Sequence, residues 1–546
     1  MRIEIRRFCS TLTIVMLLAV GSATITATQL RADVPASIST PDQVETRLGT
    51  LEFKDGYPTK ETAEAVRNEL DYIHGVESFM NSIQGVSLYA LRKGYEEQGI
   101  KDGDFLIFSK LMDSNSLFLT ANADTVYFWG NVDLSDGPLV IETPPQVLGI
   151  FDDFWFRYVG DFGLAGPDKG EGGKFLLVGP EYDGVLPEGG FFVRHSRTNL
   201  VTLLFRAFLE NDDPAPAVAR VKETLKVYPY KPGGYGNSVG QYLAGEAPLA
   251  STPEAKSPRF VEGSGMVINT VPPNDFGHYE LLNEMVQREP ASALDPEIAG
   301  QFAAIGIVKG QEFAPDERMK KTLTEAVAFG NAASRTLGMG AHPVDRFRYY
   351  EDDENSAWWN MLFVGGYQFQ DPPPMIGENG EVIPAEPTGN RKLHSRTSMF
   401  YTATGITPAM VMRLTGIGSQ YLIANVDVAG EPFDGALTYK VTLPADIPAE
   451  RFWSFTVYDN QSRSMLATPQ MYPRAGSQGY PSPAASADAD GSTTIYFSPE
   501  KPADVADGNW IQTDPEKGWF TILRLYSPKK SFFDKTWRPS EIELVE

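Results

Sequence analysis

WFTILRLY (519–526) decides what kind of domain closes this chain. Read with a period of two, it puts Trp519, Thr521, Leu523 and Leu525 on one face and Phe520, Ile522, Arg524 and Tyr526 on the other. Both faces are mostly apolar, so the segment reads as a strand covered on both sides. A cation in such a strand must find an internal carboxylate, for example Asp459, or hold an anion supplied by a ligand. Arg524 and its neighbour Tyr526 are therefore candidate ligand-binding residues.

The sequence around it keeps the same period. From about residue 395, QYLIANVDV, LTYKVTLP, FWSFTVYDN and TTIYFS alternate apolar and polar residues, which predicts an all-β domain, a sandwich or a jelly roll. Residues 105–195 carry a second set of short aromatic and β-branched runs, VYFWGNVDL, PLVIETP, FWFRYVGDF, KFLLVGP and FFVRHS, divided by Gly and Pro. These predict antiparallel strands. Between Thr59 and Gln98 the spacing of Ala63, Val66, Leu70, Ile73 and Val76 is helical. Thr198-Asn199 followed by LVTLLFRAFLE predicts a helix after the first set of strands, and 278–338 predicts more helix. The fold class is thus α+β and multidomain. A lead-in covers 33–60, helix plus β-structure 61–235, a linker and helical portion 236–394, and the C-terminal β-domain 395–546.

The first 32 residues read as an export signal. Arg2, Arg6 and Arg7 precede the apolar stretch TLTIVMLLAV (11–20), which is short for a membrane span, and small residues follow. The expected location is the periplasm or the exterior of a bacterial cell, with no integral span after cleavage. Cys9, the single cysteine, lies inside that segment, so the mature chain would have no disulfide, thiol nucleophile or cysteine-bound metal. The net charge is −24, and the signal segment holds four arginines against one glutamate, so the remainder is more acidic still. A field of that sign repels nucleic acid, which is excluded as a partner.

Several motifs fail on spacing. GLAGPDKGEGGKF (163–175) resembles a phosphate loop, but Asp168 stands where its first glycine belongs and Phe175 where its hydroxyl belongs. The stretch also precedes a strand pattern, so it reads as a glycine-rich connection between strands. The five histidines are scattered, without a zinc pair, and no metal or cofactor is expected. AGSQG (475–479) is no nucleophile elbow, since prolines crowd it and no helix follows.

TANADTVYFWGNVDL (120–134) carries more chemistry. Asn122 and Asp124 stand at the entry to a strand whose one face presents Tyr127, Trp129, Asn131 and Asp133. That face lines a polar pocket, or else Asn122 and Asp124 form an Asx-turn that starts the strand. Two functions follow. An exported hydrolase or lyase would act on a small polar, anionic or saccharide-like substrate, with Asp124 or Asp133 as carboxylate, Tyr127 or His195 as partner, and Asn122, Trp129, Arg524 and Tyr526 as ligand contacts. A non-catalytic envelope or periplasmic protein would use the same aromatic cleft to bind a small molecule or take part in assembly.

With LTANADTVYFWGNVDL, FRYVGDFGLAGPDKGEGGKFLLVGPEYDG, GSQYLIANVDVAGEPFDGALTYKVTLP and FWSFTVYDNQSRSMLATPQMYP in view, the chain resembles bacterial proteins made of the domains of unknown function 1254 (N-terminal) and 1214 (C-terminal). The resemblance extends over roughly 60–546. It implies an immunoglobulin-like β-sandwich with a helical portion, followed by a jelly-roll-like sandwich, and self-association as a tetramer. It implies no reaction.

Overall fold

The structure, a computed structural model, describes residues 34–339, 347–378 and 381–545. The export-signal segment, with Cys9, lies outside the described residues, as does His342. The chain divides into two compact units, Met1–Arg67 and Asn68–Glu546. The first holds a three-stranded antiparallel sheet of β1 (Gln43–Thr46), β2 (Gly49–Lys54) and β3 (Tyr57–Pro58).

Helix α1 (Lys60–Glu97) follows the helical spacing read above. Thr59 caps it, its Oγ1 accepting from the Thr62 amide at 3.2 Å. Gly99, at φ +71°, ends it in the left-handed turn that glycine takes without steric cost.

The N-terminal β module comprises β4 (Phe105–Ile107), β5 (Val126–Asp133), β6 (Leu139–Glu142), β7 (Val147–Asp153), β8 (Tyr158–Gly163), β9 (Lys174–Val178), β10 (Phe192–His195) and β11 (Leu200–Ala207). Helix α2 (Ala215–Thr224), β12 (Lys226–Pro229), α3 (Val239–Leu243) and β13 (Phe260–Glu262) complete it. Six strands form one sheet in the order β13-β4-β5-β11-β7-β8, and four form another, β10-β9-β6-β12. Phe162 of the first meets Phe175 of the second, ring centroids 6.1 Å apart, so the two sheets share a core. Gly149 permits this packing, because a Cβ there would lie 2.2 Å from the Phe162 ring. The glycine-rich stretch connects β8 to β9, and Asp168 closes it by accepting from the Gly163 amide at 2.7 Å.

One expectation is corrected here. LVTLLFRAFLE is strand β11, paired antiparallel with both β5 and β7. Leu200, Val201, Leu203, Phe205 and Ala207 are all buried, because neighbouring layers cover both faces of this central strand. An apolar run of that kind has no polar face to reveal a period of two.

Helices α4 (Gly277–Arg288), α5 (Pro296–Ala304) and α6 (Glu317–Met339) occupy the predicted helical stretch. A small hairpin, β14 (Met375–Ile376) with β15 (Val382–Ile383), precedes α7 (Leu393–Thr402) and α8 (Pro408–Val411). The strand pattern assigned from 395 thus begins later, at β16 (Ser419–Ala424). Residues Ser395 and Thr397 to Thr402 of α7 are buried, so no polar stripe marks the helix.

The C-terminal module continues with β17 (Tyr439–Leu443), β18 (Ala449–Asp459), β19 (Arg474–Gly476), β20 (Thr493–Ser498), β21 (Trp510–Gln512), β22 (Trp519–Pro528), α9 (Lys530–Phe533) and β23 (Glu543–Leu544). Its sheets run β16-β22-β18-β19 and β21-β20-β17-β23. Strand β22 is buried along its whole length. Trp519, Leu523 and Leu525 point between the two sheets, where Trp519 stacks on Phe433 at 4.3 Å and on Phe497 at 4.9 Å. Phe520 and Ile522 instead join the core that contains Phe151 and Phe205 of the N-terminal module. The outer face of β22 is therefore a junction between modules.

Candidate binding site

At that junction the side chains leave a cavity. Its volume is about 110 Å³, and its walls are mainly apolar, with Phe118, Leu148, Ile150, Leu204 and Ile522 among them. Polar groups enter from three directions: Asn122, Tyr127 and Arg206 from the N-terminal module, Tyr421 and Arg524 from the C-terminal sheet, and Thr402, Thr404 and Thr407 from the end of α7 and the stretch linking it to α8.

Arg524 is 3% exposed. Its Nη2 donates to the Thr120 carbonyl at 2.8 Å, while Nε and Nη1 have no partner. Tyr458 and Tyr421 flank it, with ring centroids 5.5 Å and 5.9 Å from the guanidinium carbon. Thr120 holds φ +44°, a left-handed conformation unusual for a β-branched residue, and its carbonyl is the one that meets Arg524. Burial opposes the guanidinium charge, but Tyr458, Tyr526, Asp124 and Tyr421 together hold its pKa above the ordinary value. It stays a cation at any physiological pH.

Arg206, 6% exposed, is the second buried guanidinium in the wall. It reaches across from β11, its Nη2 donating to Ser419 Oγ at 2.7 Å while its guanidinium lies over Tyr526 at 5.1 Å. Ser419 Oγ is in turn 3.1 Å from the Tyr421 hydroxyl. Tyr127 accepts from Asn122 Nδ2 at 2.8 Å, which leaves its own hydroxyl proton available to an acceptor in the cavity.

Asp124 has a different setting. It is fully buried and accepts from Ser454 Oγ at 2.7 Å, Tyr526 hydroxyl at 2.8 Å and Arg474 Nε at 2.9 Å. Those donors lie on β18, β22 and β19, so one carboxylate ties the entry of β5 to three strands of the other module. Burial first, and the Asp124 charge second, push the Tyr526 phenol well above its ordinary pKa, so it remains a donor. The Asp124 amide donates to Asn122 Oδ1 at 3.2 Å, the Asx-turn alternative named above.

The other predicted residues are not in the cavity wall. Asp133 accepts from Arg288 at 2.8 Å, in a chain of ion pairs that continues through Asp102 to Arg92. Trp129 stands one layer back, edge-to-face with Phe118 at 5.6 Å. His195 is exposed at the end of β10, the edge strand of its sheet. Nor does Asp459 meet Arg524; its carboxylate pairs with Lys517. Among the described residues no group of three or more His, Cys, Asp or Glu is placed to hold a metal ion, and no helix is long and apolar enough to cross a membrane.

Sequence reasoning missed Arg206, although it carries the same signal as Arg524, a lone cation in an apolar run. Reading that run as helix hid it. The wall between α7 and α8 was missed too. Behind it, Asp152 Oδ2 accepts from the Ile406 amide at 3.0 Å, and Asp161 accepts from Thr407 Oγ1 at 2.6 Å and from the Tyr158 hydroxyl at 3.1 Å. Burial pushes the Asp161 carboxyl up to about 7, and raises Asp152 well above the carboxylate range.

Comparison with known proteins is consistent with this division. Residues 103–229 match the family model described as protein of unknown function DUF1254, and residues 418–530 match that of protein of unknown function DUF1214. The first segment carries β5, β7 and β11, the second β16 and β22, so each matched domain supplies one face of the cavity. The VPA0106 protein from Vibrio parahaemolyticus is similar in structure, with 16% identity, a TM-score of 0.48, and coverage of 87% of this chain and 100% of that one. A putative uncharacterized protein from Burkholderia cenocepacia is 10% identical, with a TM-score of 0.35 over 89% of this chain and 97% of that one. No curated protein matches this sequence.

Proposed function

We propose that this chain binds a small anionic molecule with a largely hydrocarbon body in the junction cavity, without transforming it. The observation that carries the reading is Arg524, a buried guanidinium with two unpartnered nitrogens in a mainly apolar wall. A buried donor without a partner costs about 1–3 kcal/mol, and more when charged. An anion that reaches it relieves that cost, while the apolar walls take up the rest of the molecule.

The test is thermal unfolding of the mature protein in the presence of hexanoate, benzoate and neutral sugars. Ligand at about 100 times its dissociation constant adds roughly 2.7 kcal/mol to stability. The acids are expected to raise the melting temperature and Arg524→Met to abolish the rise. Stabilisation by neutral sugars but not by acids would overturn the reading.

One observation favours the catalytic alternative, a hydrolase or lyase. Tyr127 keeps a donatable proton in a cavity wall that it shares with two guanidiniums. That reading requires turnover of a bound acid and its loss in Tyr127→Phe with binding retained.

The proposal also takes the N-terminal pair of sheets as an immunoglobulin-like sandwich and the C-terminal pair as jelly-roll-like, which the facing sheets of each module support. Export to the periplasm or cell exterior is supported by the charged start and apolar stretch of residues 1–20. Self-association as a tetramer belongs to the same proposal, and sedimentation of the mature protein measures it.

A further inference from the structure

Two buried guanidiniums face one cavity, and their charges are not balanced there. Asp124, the buried carboxylate nearest in the network, is already paired with Arg474. Across the α7–α8 stretch, Asp152 is bound by the Ile406 amide and Asp161 by Thr407 and Tyr158, and neither forms an ion pair with Arg206 or Arg524. Tyr127, Tyr421, Tyr458 and Tyr526 supply dipoles and ring faces around the arginines. The wall therefore carries about two positive charges in a poorly solvated space, which an occupant with two negative groups would complement.

The register separates the strand positions behind them. Tyr421 pairs across β16 and β22 with Arg524, and Ser419 pairs with Tyr526. Arg206 is anchored at the second of these pairs, by its bond to Ser419 and its seat over Tyr526. The strand positions behind the two arginines are thus two residues apart, roughly 7 Å along the strands. A single compact anion would meet both arginines only if they converged on one point. Points separated along the strands, with hydrocarbon walls between and around them, fit a molecule with a negative group at each end.

We infer that the cavity takes a short dicarboxylate, one carboxylate on Arg524 and the other on Arg206, with a hydrocarbon spacer along the apolar wall. This rests on the anion-binding reading above and adds the second charge and the length.

The experiment is calorimetric titration of the mature protein with succinate, glutarate, adipate and pimelate. Butyrate, hexanoate and inorganic phosphate serve as comparison ligands. The expected result is an optimum at one dicarboxylate length, at least tenfold tighter than the monocarboxylate of equal carbon number. Arg206→Gln keeps a donor for Ser419 but no charge. It should bring the dicarboxylate down to the affinity that the same variant has for the monocarboxylate of equal carbon number. Arg524→Met should abolish both.

Equal affinity for mono- and dicarboxylates in the unaltered protein overturns the two-headed ligand and leaves the anion-binding reading standing. Phosphate binding as tightly as the best dicarboxylate overturns it in favour of one compact head. Absence of binding across the whole series overturns both readings. Because the comparison of ligand lengths uses the unaltered chain, misfolding of either variant does not protect the inference.

Discussion

Asp124 and Arg524 lie in the same junction, both buried, and the chain treats them in opposite ways. Asp124 has a donor from each of three strands, one of them the cation Arg474. Arg524 has two carbonyls, those of Thr120 and Ala121, on one nitrogen and two idle nitrogens. Both charges stand in aromatic β-strand contexts that drew equal attention in the sequence. The difference is what their hydrogen-bonding capacity is spent on. A buried charge with every partner supplied holds modules together, whereas one left short in a cavity wall has capacity for a ligand.

The sharpest way to break that comparison is to remove each charge. Asp124→Asn leaves Arg474 buried without a counter-charge, and loss of one partner of a buried pair costs about 3–5 kcal/mol. Its urea midpoint should fall accordingly. Arg524→Met removes a side chain with two unpartnered nitrogens, so its midpoint should fall far less than that of Asp124→Asn while acid binding disappears. If both variants lose stability equally, Arg524 is structural after all and the cavity loses its anion hook.

A smaller effect concerns the wall between α7 and α8, held by Asp161 and Asp152. The folded pKa of Asp161 is raised by burial to about 7, above the value an unfolded aspartate has. The folded state therefore binds more protons than the unfolded state across that interval. The Asp161 contribution is present in full below about pH 4, and is lost as pH rises through about 7. One such proton changes unfolding free energy by up to about 1.4 kcal/mol per pH unit. Asp161→Asn, which keeps an acceptor for Thr407, should flatten that decline in urea titrations from pH 4.5 to 8. An unchanged slope would show that another group sets the pH response, and would separate this wall from the Asp124 and Arg524 contrast.

Much of this could be read from sequence, and the failures have a common cause. The two faces of β22, the long α1 and the role of the glycine-rich loop as a connection all follow from local periodicity and spacing. Asn122, Tyr127 and Arg524 were singled out, and all three lie in the cavity wall. Strand β11 and helix α7 were misread because neighbouring layers bury them on more than one side, which erases the polar residues that mark a period. Arg206 was lost with β11. What pairs with what was also beyond reach. Asp124 bonds to residues 454, 474 and 526, more than 300 positions away, and nothing in the local spacing records that.

The smallest expected effect belongs to His195, and it tests the comparison from the outside. Its side chain ends an edge strand in solvent, apart from the cavity residues. Exposed positions of this kind usually change stability by no more than about 0.5 kcal/mol when truncated. His195→Ala should therefore leave both the urea midpoint and acid binding where they were. Asp133→Asn should do little more, because it weakens a partly exposed pair with Arg288, and such pairs contribute about 0–1 kcal/mol. If His195→Ala instead weakened binding as much as Arg524→Met, distance from the cavity would not protect a residue. An unspent buried donor in the cavity wall would then no longer mark the ligand site.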